Sequence, residues 1–158
     1  MNANSLIGIH QIQTLEQLSA LAGRLAYELR AGDVILFSGN LGAGKTTFTQ
    51  FLGKSLGVEG KITSPTYTLV GEYPIIGNPN IATLIHMDLY RMGEAEKKLP
   101  LNNEYIQEVI DTAALSKAVV VIEWAEKLAY VPVSRCWKIF IEPGDTTRAR
   151  IVTINKVQ

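Results

Sequence analysis

The sequence predicts an α/β fold: a mixed, mostly parallel sheet flanked by helices, with antiparallel hairpins at its margins. Three observations predict it. Residues 34–37 (Val-Ile-Leu-Phe) and 118–122 (Ala-Val-Val-Val-Ile) are short, wholly apolar runs, the pattern of strands buried on both faces. The first of these runs passes directly into a glycine-rich stretch and then a helical pattern. Near the C-terminus, residues 136–141 and 148–154 flank the turn Pro143, Gly144, Asp145, as an antiparallel pair would.

Each element can be justified in order. Over 14–30, Leu15, Leu18, Ala22, Leu25 and Leu29 recur at helical spacing. Thr14 followed by Gln17 is a capping box, and Gly32 sits where that helix should stop. After the strand at 34–37 and the glycine loop, a helix is expected over 45–56, closed by Gly57. Residues 67–73 and 81–87 have strand composition, and Gly77, Asn78 and Pro79 between them predict a hairpin. Ile106, Val109 and Ile110 predict a helix from Glu104 to about Leu115. The segment 93–103 is polar and irregular and is expected to be a mobile loop. No repeat or linker interrupts the chain, so residues 1–158 are expected to form a single nucleotide-binding domain.

Composition narrows the class. With 158 residues, 47% hydrophobic and 19% charged, the chain can bury one core and has no signature of disorder. A formal net charge of zero argues against the broad basic footprint that grips bare nucleic acid. Cys136 is the only cysteine, which leaves no internal disulfide or thiolate cluster and places Cys136 in the core. The first ten residues lack a secretory pattern, and no apolar stretch reaches the roughly 20 residues that span a bilayer. A cytoplasmic protein without membrane association is expected.

The glycine-rich stretch carries the chemistry. Residues 39–46 read Gly-Asn-Leu-Gly-Ala-Gly-Lys-Thr, a phosphate-binding loop in the strand-loop-helix context such a loop requires. The expected fold is therefore that of a P-loop NTPase, with ATP as substrate and Mg2+ as cofactor. Gly39, Gly42 and Gly44 let the backbone turn tightly and bring its N–H groups against phosphate oxygens, and Asn40, Leu41 and Ala43 complete the cradle. The helix N-terminus at Lys45, Thr46 and Thr47 points its positive end at the same anion. Lys45 supplies an ammonium for the β- and γ-phosphates, and the Thr46 hydroxyl is a hard ligand for magnesium.

Such a loop needs an acid at the end of a neighbouring buried strand. Glu123 and Asp88 both qualify, and at least one of them is expected to hold the metal or position the attacking water. In the stretch Ser64, Pro65, Thr66, the proline holds an extended backbone and Thr66 offers a hydroxyl to the γ-phosphate or metal. Lys45, Thr66 and Asp88 form the expected catalytic set. Arg148, beside the C-terminal turn, is a candidate to stack on the base or touch a phosphate; the alternative is an exposed edge-strand charge. His86, inside an apolar strand, reads as a satisfied buried histidine, and Trp124 serves equally as a core anchor. Asn155 and Lys156 lack the aspartate that a guanine-reading motif requires.

Four motifs together resemble the bacterial TsaE family: Gly-Asn-Leu-Gly-Ala-Gly-Lys-Thr-Thr (39–47), Ser-Pro-Thr-Tyr-Thr-Leu-Val (64–70), His-Met-Asp-Leu-Tyr-Arg (86–91) and Ile-Glu-Trp-Ala-Glu-Lys (122–127). The resemblance implies an ATPase required for threonylcarbamoyladenosine synthesis in ANN-decoding tRNAs. It implies TsaB and TsaD as partners, with tRNA met only indirectly. It also implies Lys45 and Thr46 on phosphate and magnesium, Glu123 as second metal ligand, Thr66 and Asp88 in two switch segments, and Trp124 close to the site. Residues 93–105 depart from the family pattern, being more basic and lacking its late glycine. Other P-loop functions fit less well. A small-molecule kinase wants an arginine-rich lid, yet Arg91 is the only arginine between the loop and Arg135, and a GTPase wants motifs that are missing. A non-catalytic ATP-sensing adaptor shares all these residues and remains the alternative to an ATPase.

Overall fold

The apolar runs at 34–37 and 118–122 become the middle of a sheet in a computed structural model, which describes residues 5–63, 70–90, 102–128 and 135–157. The described elements are, in order, β1 (Gly8–Ile12), α1 (Leu15–Glu28), β2 (Val34–Ser38), α2 (Lys45–Leu56), β3 (Val70–Pro74), β4 (Thr83–Asp88), α3 (Asn103–Ala113), β5 (Ala118–Glu123), a 3₁₀ turn (Ala125–Lys127), β6 (Cys136–Pro143) and β7 (Arg150–Val157). Among the described residues the strands form one seven-stranded sheet in the order β1-β7-β6-β2-β5-β4-β3. β6, β2, β5 and β4 run parallel at its centre. The outer pairs, β3 with β4, β6 with β7 and β7 with β1, are antiparallel. This is the mixed sheet that the sequence predicts.

Alternation along the central strands divides the core. Ile35 and Phe37 of β2, with Val119 and Val121 of β5, face α1 and α2 and pack on Leu25, Phe48 and Leu52. Val34, Leu36, Val120 and Ile122 face the other way, onto Ile106 and Ile110 of α3, in a cluster that includes Cys136. Burial accordingly pushes the Cys136 thiol above its ordinary pKa. With both faces covered, β5 has no exposed residue, which is why it reads as an unbroken apolar run.

Local signals set the ends of the helices. Thr14 caps α1, its hydroxyl accepting from the Gln17 N–H at 3.1 Å. Gln17 Oε1 reaches back to the N–H of Gln13 at 2.6 Å, one residue earlier than the usual capping box. α2 occupies the expected residues and ends at Gly57, whose φ of 114° is left-handed. Asn102 caps α3 through the Tyr105 N–H at 2.8 Å. In the β3–β4 connection, Asn78 Oδ1 accepts from the N–H groups of Asn80 and Ile81, both at 3.0 Å.

Two expectations need correcting. Leu15, counted in the apolar stripe of α1, is the first helical residue and is 63% exposed, so the buried stripe begins at Leu18. The last strand begins at Arg150 rather than residue 148. Strand β1 was not anticipated, because its alternation turns Ile9 outward (73% exposed) and leaves only Ile12 fully buried. Of the expected strand at 67–73, residues 67–69 lie outside the described residues, as does most of the expected loop at 93–103.

Phe48 is fully buried, and its ring meets Phe37 edge-on with centroids 5.2 Å apart. Phe48→Ala should therefore lower unfolding free energy by about 3–5 kcal/mol. Urea denaturation followed by circular dichroism measures this. An unchanged midpoint would mean that α2 does not depend on this contact.

Candidate functional site

The site is built where β2 runs out. The chain leaves Ser38, turns through residues 39–44 and enters α2 at Lys45. Gly39 must be glycine: its φ is 146°, and a Cβ there would stand 2.4 Å from the carbonyl oxygen of Ile141 on β6. Gly44, at φ 110°, is the N-cap of α2, and its carbonyl accepts from the Phe48 N–H at 2.9 Å. Within the loop the Ala43 N–H donates to the Asn40 carbonyl at 3.0 Å.

Lys45 is buried. Its ammonium donates to the carbonyls of Gly39 and, at 3.1 Å, of Asn40, and lies 3.8 Å from the centroid of the Trp124 ring. Burial pulls its pKa below the ordinary lysine value of 10.5, opposed by the carboxylates of Glu126, Glu123 and Asp88 in that order. Trp124 follows β5 with a left-handed backbone (φ 59°), and its indole meets the Tyr90 ring at 4.9 Å between centroids.

Two acids close the other side. β4 and β5 run parallel in a register that sets Asp88 beside Glu123. The Thr46 hydroxyl lies 2.9 and 3.2 Å from the two Glu123 carboxylate oxygens, donating to one of them. Glu123 Oε2 also pairs with His86 Nε2, both side chains being buried. His86 Nδ1 has no partner among the described residues. Asp88 Oδ1 accepts from the Tyr90 N–H at 3.0 Å. Residues 41–47 together with Asp88, Glu123 and Trp124 line a cleft of about 230 Å³.

The structure thus gathers Leu41, Gly42, Ala43, Gly44, Lys45, Thr46, Thr47, Asp88 and Glu123 around one cleft, with Gly39 and Asn40 holding the lysine. Thr66 and the rest of 64–69 lie outside the described residues, as does Arg91. Arg148 is exposed on the β6–β7 turn and makes no hydrogen bond or ion pair among the described residues. Arg150, two residues on, bonds the loop instead: Nε–H donates to the Ala43 carbonyl at 2.9 Å and Nη2 to that of Gly42 at 3.4 Å. Glu126 also escaped notice. Its carboxylate accepts from the Gly39 N–H at 3.4 Å and is the largest charge acting on Lys45. His86 is buried as expected, but its partner is the very acid assigned to the metal.

A parallel-centred sheet with a glycine loop between β2 and α2 and acids ending the adjacent strands defines a P-loop NTPase fold. The family model described as "Threonylcarbamoyl adenosine biosynthesis protein TsaE" matches residues 12–151, and the chain belongs to that family. The chain is 45% identical over 133 residues to the tRNA threonylcarbamoyladenosine biosynthesis protein TsaE of Nostoc sp., a match covering 83% of this chain and 76% of that one. Its counterpart in Streptomyces coelicolor is 41% identical over 106 residues, 67% of this chain and 66% of that protein. The crystal structure of Bacillus subtilis YdiB superposes with a TM-score of 0.63 at 30% identity, covering 94% of this chain and 84% of that one.

The buried lysine leads to a pH prediction. Its folded pKa lies below its unfolded one, so between the two values the unfolded chain holds the extra proton. Stability contributed by this group should therefore rise as pH climbs through the folded value towards 10.5. In Lys45→Met that rise should disappear. Urea midpoints between pH 8 and 10 on both proteins measure the difference, and parallel profiles would show that burial does not govern the amine.

Proposed function

We propose that the chain is an ATPase that binds Mg-ATP on residues 39–47 and supports threonylcarbamoyladenosine synthesis in tRNA together with TsaB and TsaD. The observation that carries the reading is the convergence of Lys45, Thr46, Asp88 and Glu123 on the single cleft floored by the glycine loop. The Thr46 hydroxyl and the Glu123 carboxylate are hard oxygen donors, a pair that suits magnesium. When bound, the metal would neutralise charge on the β- and γ-phosphates. Lys45, now held on two carbonyls and a ring, exchanges those contacts for phosphate oxygens, which is favourable because a buried ammonium gains most from a full counter-charge. Asp88 orients the water that attacks the γ-phosphate.

The tRNA is reached through protein partners, since a chain of zero net charge has no excess of cations to grip RNA. A cytoplasmic site of action accords with this role; among the described residues no helix is long and apolar enough to cross a membrane. A pull-down of purified TsaB and TsaD with ATP, ADP or no nucleotide tests the partnership, and retention should depend on the nucleotide.

Two variants test the chemistry. Glu123→Ala removes a charge-assisted contact of about 1.5–3 kcal/mol, so magnesium-dependent ATP affinity or hydrolysis should fall roughly tenfold or more. Asp88→Asn should bind ATP at near wild-type affinity yet hydrolyse it slowly. Calorimetric binding beside a phosphate-release assay separates the cases. If Asp88→Asn lost binding and hydrolysis in parallel, the aspartate would be a ground-state ligand instead.

A further inference from the structure

Arg150 stands at the first position of β7, more than a hundred residues from the glycine loop in sequence, and grips it from outside the cleft. Its guanidinium is held at both ends. Nη1 donates to the carbonyls of Thr147 (2.9 Å) and Ala149 (2.8 Å) in its own turn, while Nε and Nη2 donate to Ala43 and Gly42 in the loop. Arg150 does not line the cleft; the loop residues it bonds do.

A peptide unit is planar and trans, so its C=O and N–H point in opposite directions. The Ala43 carbonyl and the Gly44 N–H belong to one such unit. Fixing that carbonyl on Arg150 fixes the Gly44 N–H pointing away from the guanidinium. That N–H has no acceptor among the described residues and opens α2, where the first donors of a helix have no partner within it. Gly44 has no side chain to restrain its backbone at φ 110°, and nothing stands within 4 Å of where a Cβ would sit. We infer that Arg150 is a positioning residue for the nucleotide phosphates: it sets the peptide plane that aims the Gly44 N–H into the cleft and adds a permanent positive charge behind it. A lysine would keep the charge but not the fork that spans two adjacent carbonyls.

This inference rests on the proposed nucleotide binding, and the experiment separates the two. Mg-ATP affinity is measured by calorimetry, and turnover at saturating ATP by phosphate release, for wild type, Arg150→Ala and Arg150→Lys. Both variants should bind roughly tenfold more weakly, as expected when charge-assisted hydrogen bonds that orient a donor are lost. Turnover of the saturated enzyme should stay within about twofold, because Arg150 touches no reacting atom. Methylguanidinium at millimolar concentration should restore affinity to Arg150→Ala and leave wild type unchanged. In the nucleotide-free protein, the Gly44 amide resonance should shift in both variants while the amides of α3 do not. A wild type that binds no nucleotide overturns the proposed function as well as this inference. Wild-type affinity in both variants overturns this inference alone. So does a parallel fall in affinity, turnover and melting temperature that methylguanidinium does not reverse, since that is the pattern of a general structural support.

Discussion

Glu123 is a carboxylate left 2% exposed at the end of a strand whose other residues are all buried and apolar, and its neighbourhood is organised around making that burial tolerable. An ionised carboxylate in such surroundings is strongly disfavoured unless it is paired and hydrogen-bonded. Thr46 and His86 supply the partners, one from the first turn of α2 and one from the adjacent strand β4. Both contacts have structural consequences. The threonine bond ties the start of α2 to the end of β5, which fixes the direction in which the glycine loop leaves β2. The histidine bond ties β5 to β4 from within the sheet. The backbone completes the bracket, since the Leu89 N–H donates to the Glu123 carbonyl at 3.1 Å as the chain leaves β4.

Lys45 is the counterweight. One buried ammonium faces three carboxylates, yet desolvation outweighs their attraction. The side chain therefore takes every stabilising contact within reach, two loop carbonyls and the face of an indole. Trp124 can offer that face only because its backbone adopts the left-handed conformation directly after Glu123, an uncommon state for a bulky residue and one associated with functional sites. Lys127 then donates to the Tyr90 carbonyl at 2.5 Å and lies 5.4 Å from the Tyr90 ring centroid, which holds the aromatic pair in place. The cleft is divided accordingly. Lys45 and the loop backbone lie on one side, and Asp88 and Glu123 lie on the other at the strand ends.

What could be seen in the sequence was local. The β2 run, the glycine loop and α2 are consecutive, and each is set by its own residues, down to the glycine that ends the helix. The acids were legible as strand ends, Glu123 after the apolar run 119–122 and Asp88 after Leu84, Ile85, His86 and Met87. What could not be seen depends on register and alternation between distant segments. His86 lies opposite Val121 in the β4–β5 ladder, and Glu123 is the same-face neighbour two residues further on, a relation that no local pattern encodes. Arg148 was a candidate to stack on the base or touch a phosphate, with an exposed edge-strand charge as the alternative, and residue 148 is an exposed residue of the turn. Strand geometry starts at Arg150, and only from there is side-chain direction determined. Strand β1 was missed because a five-residue strand with an exposed isoleucine lacks the periodic signal.

Chain direction explains how β7 comes to serve the site. Parallel strands bring their C-terminal ends to one edge of the sheet, and that edge collects Ser38, Asp88 and Glu123 from β2, β4 and β5. A further parallel strand would need a long crossover before delivering another residue there. β6 also ends at this edge, with the Ile141 carbonyl pressed against Gly39, and β7 returns antiparallel from it through a short turn. The first residue of an antiparallel return therefore lies where the last residues of the parallel strands lie. Pairing of Arg150 with Pro143 on one side and Ile12 on the other fixes its Cα in the sheet, so the guanidinium reaches the loop from a rigid base. β1, the strand least visible in the sequence, thus contributes to the site by closing the ladder on which Arg150 stands.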